Sequence, residues 1–435
     1  MSNKFLIKSV KARWILDSRG FPTIEADVLT ENGILGRAAV PSGASTGEHE
    51  VVKIIDGGKR FLGRGVNKAI NNVNNEISKI IIGKDVRKQK EIDDAMINLD
   101  GTKNKSKLGG NAILSVSLAV ADAASKALGL NLFEYLYKLY RENSNEIKYI
   151  FPVPMSNVLN GGKHAGNNLS VQEFMIVPIG AKDYRESIVM ISEIYQYLKN
   201  EIKSKFGKSA INLGDEGGFA PNLSYTKDAL DLLMSAIEDS GYKAKKEIFI
   251  AMDAASSEFY KDGKYFIDEK FLSVDELMDY YIELINSYPI ISIEDPFEEN
   301  DFQAFAKLLS KIGNKIQIVG DDLFVTQIER IKIGIQNKSA NALLLKVDQV
   351  GSLTESLEAA KLCDENNMNV IVSHRSGETE STFIADLAVG LSLRRIMIKT
   401  GAPARGERTA KYNRLLRIYD LIGENAEFSG NNFNI

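Results

Sequence analysis

Ala342-Leu-Leu-Leu-Lys-Val347 decides how the rest of the chain reads. Five of its six residues are apolar, the mark of a strand covered on both faces, as in a parallel sheet. Lys346 stands near the C-terminal end of the run. Burial disfavours an ammonium, so such a lysine either snorkels out at the strand end or has partners. The neighbouring runs discriminate between these two readings.

Five other apolar runs end in ionisable residues. Ile248-Phe-Ile-Ala-Met ends at Asp253, and Ile290-Ile-Ser-Ile at Glu294 and Asp295. Ile316-Gln-Ile-Val-Gly ends at Asp321 and Asp322, Val370-Ile-Val-Ser at His374 and Arg375, and Ile396-Met-Ile at Lys399. After a longer first interval these ends recur roughly every 25 to 28 residues, enough for one strand, one helix and their loops. Between them lie amphipathic helices. In 183 to 205, Ile188, Ile191, Tyr195, Leu198 and Ile202 share one face. Ser273-Val-Asp-Glu276 and Ser352-Leu-Thr-Glu355 read as capping boxes. Strand and helix in alternation predict parallel strands with crossover helices, in sufficient number to close a barrel. In such a barrel the strand C-termini meet at one mouth, where active sites lie. A lone acid at a strand end is usually a solvated terminus or a helix cap. Six ionisable ends converging on one cleft point to a site.

The first third reads differently. Phe5 to Leu16, Thr23 to Thr30 and Gly33 to Val40 are expected strands, with Glu31-Asn-Gly33 as a hairpin turn, which predicts an antiparallel meander. Pro41-Ser-Gly-Ala-Ser-Thr-Gly47 is either a surface linker or a mobile loop that reaches a ligand. Ile70, Val73, Ile77 and Ile80 or Ile81 outline a helix stopped at Gly83, and 109 to 128 a largely apolar one. The polar stretch Arg141-Glu-Asn-Ser-Asn-Glu146 places the boundary between an α+β domain of residues 1–141 and a barrel of residues 142–435.

Bulk properties narrow the function. The 435 residues carry 54 basic and 58 acidic side chains and no long basic run, so no nucleic-acid partner is implied. No apolar stretch is long enough for a membrane span. The N-terminus lacks a signal pattern, and Cys363, the one cysteine, fits a reducing cytoplasm.

Asp253, Glu294 and Asp321 are hard oxygen donors from three successive strands, a set that suits Mg²⁺. Asp295 and Asp322 compete for the role, and strand alternation predicts that one of each adjacent pair faces inward. Lys346 and Lys399 beside a dication should have lowered pKa values, which makes one of them a credible general base. His374, Arg375 and Ser376 suit a phosphate or carboxylate. His164 lies in a glycine-rich loop. Gln172-Glu173 and Asp215-Glu216 flank apolar runs, and a carboxyl acid opposite a lysine base suggests proton abstraction next to a carboxylate with loss of a leaving group.

Asp17-Ser-Arg-Gly20, Val40-Pro-Ser-Gly-Ala-Ser-Thr-Gly47, Gly161-Gly-Lys-His-Ala-Gly-Asn167 and Gln172-Glu-Phe-Met occur in that order. Gly214-Asp-Glu-Gly-Gly-Phe-Ala-Pro221, Ile293-Glu-Asp-Pro-Phe297, Gly320-Asp-Asp-Leu323 and Leu345-Lys-Val follow. The series ends with Ser373-His-Arg-Ser-Gly-Glu-Thr-Glu380 and Lys399-Thr-Gly-Ala-Pro403. Together they closely resemble the enolase family. The resemblance implies a small α+β domain on a modified barrel of ββαα(βα)₆ order. It implies Mg²⁺-dependent, reversible dehydration of 2-phospho-D-glycerate to phosphoenolpyruvate, with Lys346 as base and Glu216, assisted by Glu173, as acid. Asp253, Glu294 and Asp321 would hold one Mg²⁺, and Ser45 a second that arrives with the substrate. His164, Gln172, Glu173, Ser373, His374, Arg375, Ser376 and Lys399 would contact substrate. A lysine base with one or two Mg²⁺ ions is the general pattern of enolase-type sites. The resemblance further implies a homodimer or higher even oligomer, with Arg13 and Glu407 at the pairing positions, and a cytoplasmic location with an occasional cell-surface pool. Asp348 stands where the family commonly has Asn, and is expected to raise the pKa of Lys346. The alternatives are a related dehydratase or racemase acting on a non-phosphorylated acid, and a barrel that only binds an anion.

Overall fold

Three strands open the chain: β1 (Ile7–Leu16), β2 (Pro22–Thr30) and β3 (Leu35–Ala39), antiparallel in that order. The computed structural model describes residues 3–43, 47–141, 147–423 and 426–433. The meander is as expected, with strand ends shifted by one or two residues: the first and third are shorter and the second begins one residue earlier, at Pro22. Its covered face is Ile24, Ala26 and Val28, every second residue of β2, all fully buried. Against it packs the helix Gly110–Ala127, which is so close that a Cβ at Gly36 would clash with the carbonyl of Ala119. The helix over 67–81 forms, but Val73–Ile77 is a π-turn, and the register shift selects Ile81 rather than Ile80 for burial. Gly83 follows with φ +84°.

The second part is a closed barrel of β4 (Val153–Asn160), β5 (Glu173–Val177), β6 (Phe249–Asp253), β7 (Ile290–Glu294), β8 (Gln317–Gly320), β9 (Ala342–Leu345), β10 (Asn369–Ser373) and β11 (Ile396–Lys399). Two helices, Tyr184–Phe206 and Thr226–Asp239, follow the first two strands, and one longer helix follows each later strand. This is the ββαα(βα)₆ order. β5 runs antiparallel to both β4 and β6, and the remaining pairs are parallel. The barrel closes where β11 pairs with β4.

Caps follow the sequence with one difference. Ser273 and Glu276 form a complete capping box. Ser352 accepts the Glu355 N–H, but the Glu355 carboxylate takes the Ser352 hydroxyl at 2.5 Å and Lys105 at 2.9 Å rather than the Ser352 N–H, tying the barrel to the first domain. The domains also meet through paired backbone hydrogen bonds between Ser42 and Gly377, of 2.8 and 2.9 Å, and from Val51 N–H to the Gln349 carbonyl at 3.0 Å. The small domain therefore borders the barrel mouth. Among the described residues, no single helix is long and apolar enough to cross a membrane.

Candidate active site

The reversed strand explains how one acid reaches the mouth. In β6, β7 and β11 the last residue is ionisable and stands at the mouth end of its strand: Asp253, Glu294 and Lys399. β5 runs the other way, so its first residue, Glu173, arrives at the same level, opposite Asp253 on one side and Asn160 on the other. One cleft is lined by Gln172, Glu173, Glu216, Asp253, Asp321, Lys346, Ser373, His374, Arg375, Ser376 and Lys399. Glu294 is buried off this lining, with its carboxylate in contact with the Lys399 ammonium. The side chains of Ser45 and His164 fall outside the described residues.

Lys399 organises the floor. Its Nζ stands 3.0 Å from Glu173, 3.1 Å from Asp253 and 2.9 Å from Glu294. Burial opposes its charge, yet these carboxylates outweigh burial and raise its pKa well above normal. Lys346 pairs with Asp321. Burial again opposes the charge, and Asp321 and Glu294 reverse the effect, so its pKa is also raised. The lowering expected beside a dication concerns the metal-bound site; with protein groups alone, Asp321 at Lys346 and the three carboxylates at Lys399 set the direction. Lys346 does not snorkel; its backbone N–H bonds to Thr326 and its ammonium has a partner.

Alternation also fails as a guide to the adjacent acids. β7 ends at Glu294, and Asp295 turns into a left-handed conformation at φ +41°. β8 ends at Gly320, before Asp321 and Asp322. Period-two alternation does not extend into a turn. Asp295 accepts the backbone N–H groups of Asp321 at 3.0 Å and Asp322 at 2.7 Å, and the three carboxylates form one compact acidic group. Burial, then Asp322, pushes the Asp295 carboxyl well up, and burial with Asp321 pushes Asp322 up to about 8.

The acid side of the cleft is Glu173 with Glu216. Burial and the Glu216 charge raise Glu173 well above the carboxylate range. Asn157 Nδ2 donates to Glu216 at 3.0 Å, and His374 Nε2 lies 3.5 Å from the same oxygen. Arg408 approaches His374 Nδ1 at 2.6 Å. A guanidinium only donates, so Nδ1 accepts and Nε2 carries the imidazole proton, facing Glu216. Burial lowers the His374 pKa to about 4, which keeps the ring neutral.

Ser373 donates to the His374 carbonyl at 3.0 Å, and Ser376 accepts from Arg19 at 3.3 Å. Gln172 donates to Asp253 at 3.4 Å. Arg375 is held by Glu50 at 2.9 Å and Asp348 at 3.1 Å, and Lys53 reaches Asp348 at 2.6 Å. Asp348 thus turns toward these cations rather than to Lys346.

Sequence reading missed Arg408, Arg19, Glu50, Lys53 and Asn157. Asn157 had a signal: a polar residue inside the apolar run of β4. Arg408 had none, since it acts from the first turn of the helix Gly406–Ile422. Its guanidinium is fully buried and holds the carbonyls of Asp215, Arg375 and Ser376 at 3.1, 2.6 and 2.8 Å.

Two family models match this chain. One, for the enolase N-terminal domain, matches residues 7–136; the other, for the enolase C-terminal TIM barrel domain, matches residues 148–435. The chain belongs to the enolase family. It is 54% identical to "Enolase" of Methanocaldococcus jannaschii over 433 residues, covering 100% of this chain and 99% of that protein. It is also 54% identical to "Enolase" of Thermococcus gammatolerans at the same coverage, and 51% identical to that of Solanum lycopersicum, covering 98% of each.

The enolase family implies a divalent metal, and the donor set here fits one. Among the described residues, Asp295, Asp321 and Asp322 bring carboxylate oxygens together, and burial with mutual charge makes Asp295 and Asp322 resist ionisation. Such a set is stabilised by a hard dication.

Proposed function

We propose that this chain catalyses the reversible dehydration of 2-phospho-D-glycerate to phosphoenolpyruvate, in the cytoplasm, as a step of glycolysis and gluconeogenesis. The observation that carries the reading is the Glu173–Glu216 carboxyl pair in one cleft with Lys346. Lys346 takes the proton from C2 as the free amine, leaving an enolate. Arg375 and Lys399 lower its proton affinity, against Asp321 and Glu294. Glu216, assisted by Glu173, protonates the departing C3 hydroxyl, and the His374 Nε2–H orients the Glu216 carboxyl. Arg375, Ser376 and Ser373 receive the phosphate side of the substrate, with His164, Gln172, His374 and Lys399 around the remainder.

Asp253, Glu294 and Asp321 would hold a first Mg²⁺, with Asp295 and Asp322 supporting Asp321, and Ser45 a second. Bound dications supply positive charge that stabilises the developing charge on the substrate carboxylate oxygens and offsets the carboxylates that hold the Lys346 proton. We also propose a division into units 1–141 and 142–435, near the gap between the two family matches. A homodimer or higher even oligomer is supported by the exposed Trp14 and Leu16 of β1.

Adding 2-phosphoglycerate to the protein with Mg²⁺ should produce the ultraviolet absorbance rise of phosphoenolpyruvate. Folded, Mg²⁺-loaded protein that gives no rise overturns the assignment.

A further inference from the structure

Arg375 is the guanidinium placed to meet an anion, yet two buried carboxylates hold it. Glu50 contacts it at 2.9 Å and Asp348 at 3.1 Å, and both acids are less than a tenth exposed. One guanidinium between two carboxylates makes this trio net negative, and that charge opposes an incoming anion. The fourth member is Lys53. Its Nζ stands 2.6 Å from Asp348 and 3.9 Å from Glu50, and 16% of its side chain is exposed. It brings the group to charge balance without touching the cleft.

The four side chains come from three places. Glu50 and Lys53 follow the Pro41–Gly47 loop in the small domain, Asp348 lies two residues beyond Lys346, and Arg375 follows β10. The hydrogen bond from Val51 N–H to the Gln349 carbonyl fixes this segment against the turn that carries Asp348. Arg375 and Lys53 together hold the Asp348 carboxyl below its ordinary range, against its burial.

We propose that Lys53 is a positioning residue for substrate binding, acting through Asp348 and Glu50 to cancel the surplus negative charge around Arg375. The inference rests on the proposed function in that Arg375 meets the anionic end of the substrate. A plain ion pair at the domain seam would contribute to stability alone; the role proposed here changes anion affinity.

Lys53→Met is expected to raise KM for 2-phosphoglycerate about tenfold, equivalent to about 1.4 kcal/mol, with kcat falling by less than KM rises. Adding Asp348→Asn removes the surplus carboxylate and should return KM to within about threefold of wild type. Lys53→Gln should give the same rise and serves if the methionine variant does not fold. Calorimetry with inorganic phosphate should show the same loss and the same recovery, without depending on turnover. Wild-type protein that binds phosphate but leaves 2-phosphoglycerate unchanged overturns the proposed function, and the phosphate series then decides this inference alone. A folded Lys53 variant with wild-type KM and phosphate affinity overturns it, as does a double variant no better than the single one.

Discussion

Glu173 stands directly across from Asp253 in the ladder between β5 and β6, although it begins its strand and Asp253 ends its own. Only an antiparallel strand brings a first residue to the mouth where parallel neighbours deliver their last. Glu173 is buried and its carboxyl is pushed toward the neutral form, first by burial and then by Glu216. Glu173→Gln keeps the shape of the side chain and removes its titratable proton. Turnover should fall about 10²–10⁴-fold, the usual contribution of a general acid–base group. The urea midpoint separates this loss from unfolding: a large drop in it would mean that the Lys399–Glu173 pair holds the fold rather than serving turnover.

Lys346→Ala should remove turnover by a similar factor while leaving the response to Mg²⁺ intact. The truncation frees Asp321 from its ammonium partner, so the acidic group keeps its oxygen donors. A thermal shift on Mg²⁺ addition reads metal binding independently of the reaction. Loss of that shift together with activity would argue that Lys346 builds the acidic cluster rather than acting as base.

Chelation should cost both activity and stability. At about one hundred times its dissociation constant, a bound ion adds roughly 2.7 kcal/mol. EDTA should lower the melting midpoint accordingly, and Mg²⁺ should restore it. Asp253→Asn should shrink the difference between the two conditions.

Arg408→Met leaves the carbonyls of Asp215, Arg375 and Ser376 without their donor inside the protein. Each buried carbonyl left without a donor costs about 1–3 kcal/mol. Urea unfolding measures it. His374 also loses the donor to Nδ1 that fixes its tautomer, so turnover should fall in protein that remains folded.

Acid should destabilise the fold through His374. Its folded pKa is about 4 and its unfolded value near 6.5. Between these values the unfolded chain binds the extra proton, so stability is full above pH 6.5 and is lost as pH falls toward 4. The loss approaches about 3 kcal/mol at the acid end of that window. His374→Asn should show a shallower decline over this range in chemical denaturation. Parallel curves for the two proteins would mean that the ring is not held neutral.

The barrel and its mouth were legible in the sequence because six of the eight short strands are largely apolar and stop at, or just before, an ionisable residue. Lys346, Asp253 and Lys399 are therefore found by reading strand ends. Beyond those ends the signal lapses. Asp295, Asp321 and Asp322 lie in turns, where alternation has no meaning, and all three came together. The lysine pKa directions depended on contacts: Lys399 touches three carboxylates, a count that no spacing reveals. Arg408, Glu50 and Lys53 reach the site from a helix start and from the other domain, so their roles are set by tertiary packing alone.

The pairing of Met155 with Lys399 has a consequence for how the molecule is made. The first and last strands of the barrel lie side by side, so the ring remains open on a ribosome until nearly the whole chain has emerged. β4 and β5 can form their antiparallel ladder early, because they are close in the chain. Lys399 takes its place among Glu173, Asp253 and Glu294 only when the last strand docks. Until then those carboxylates face one another without their ammonium. Nascent chains stalled before residue 396 should thus carry an incomplete barrel and no cleft floor.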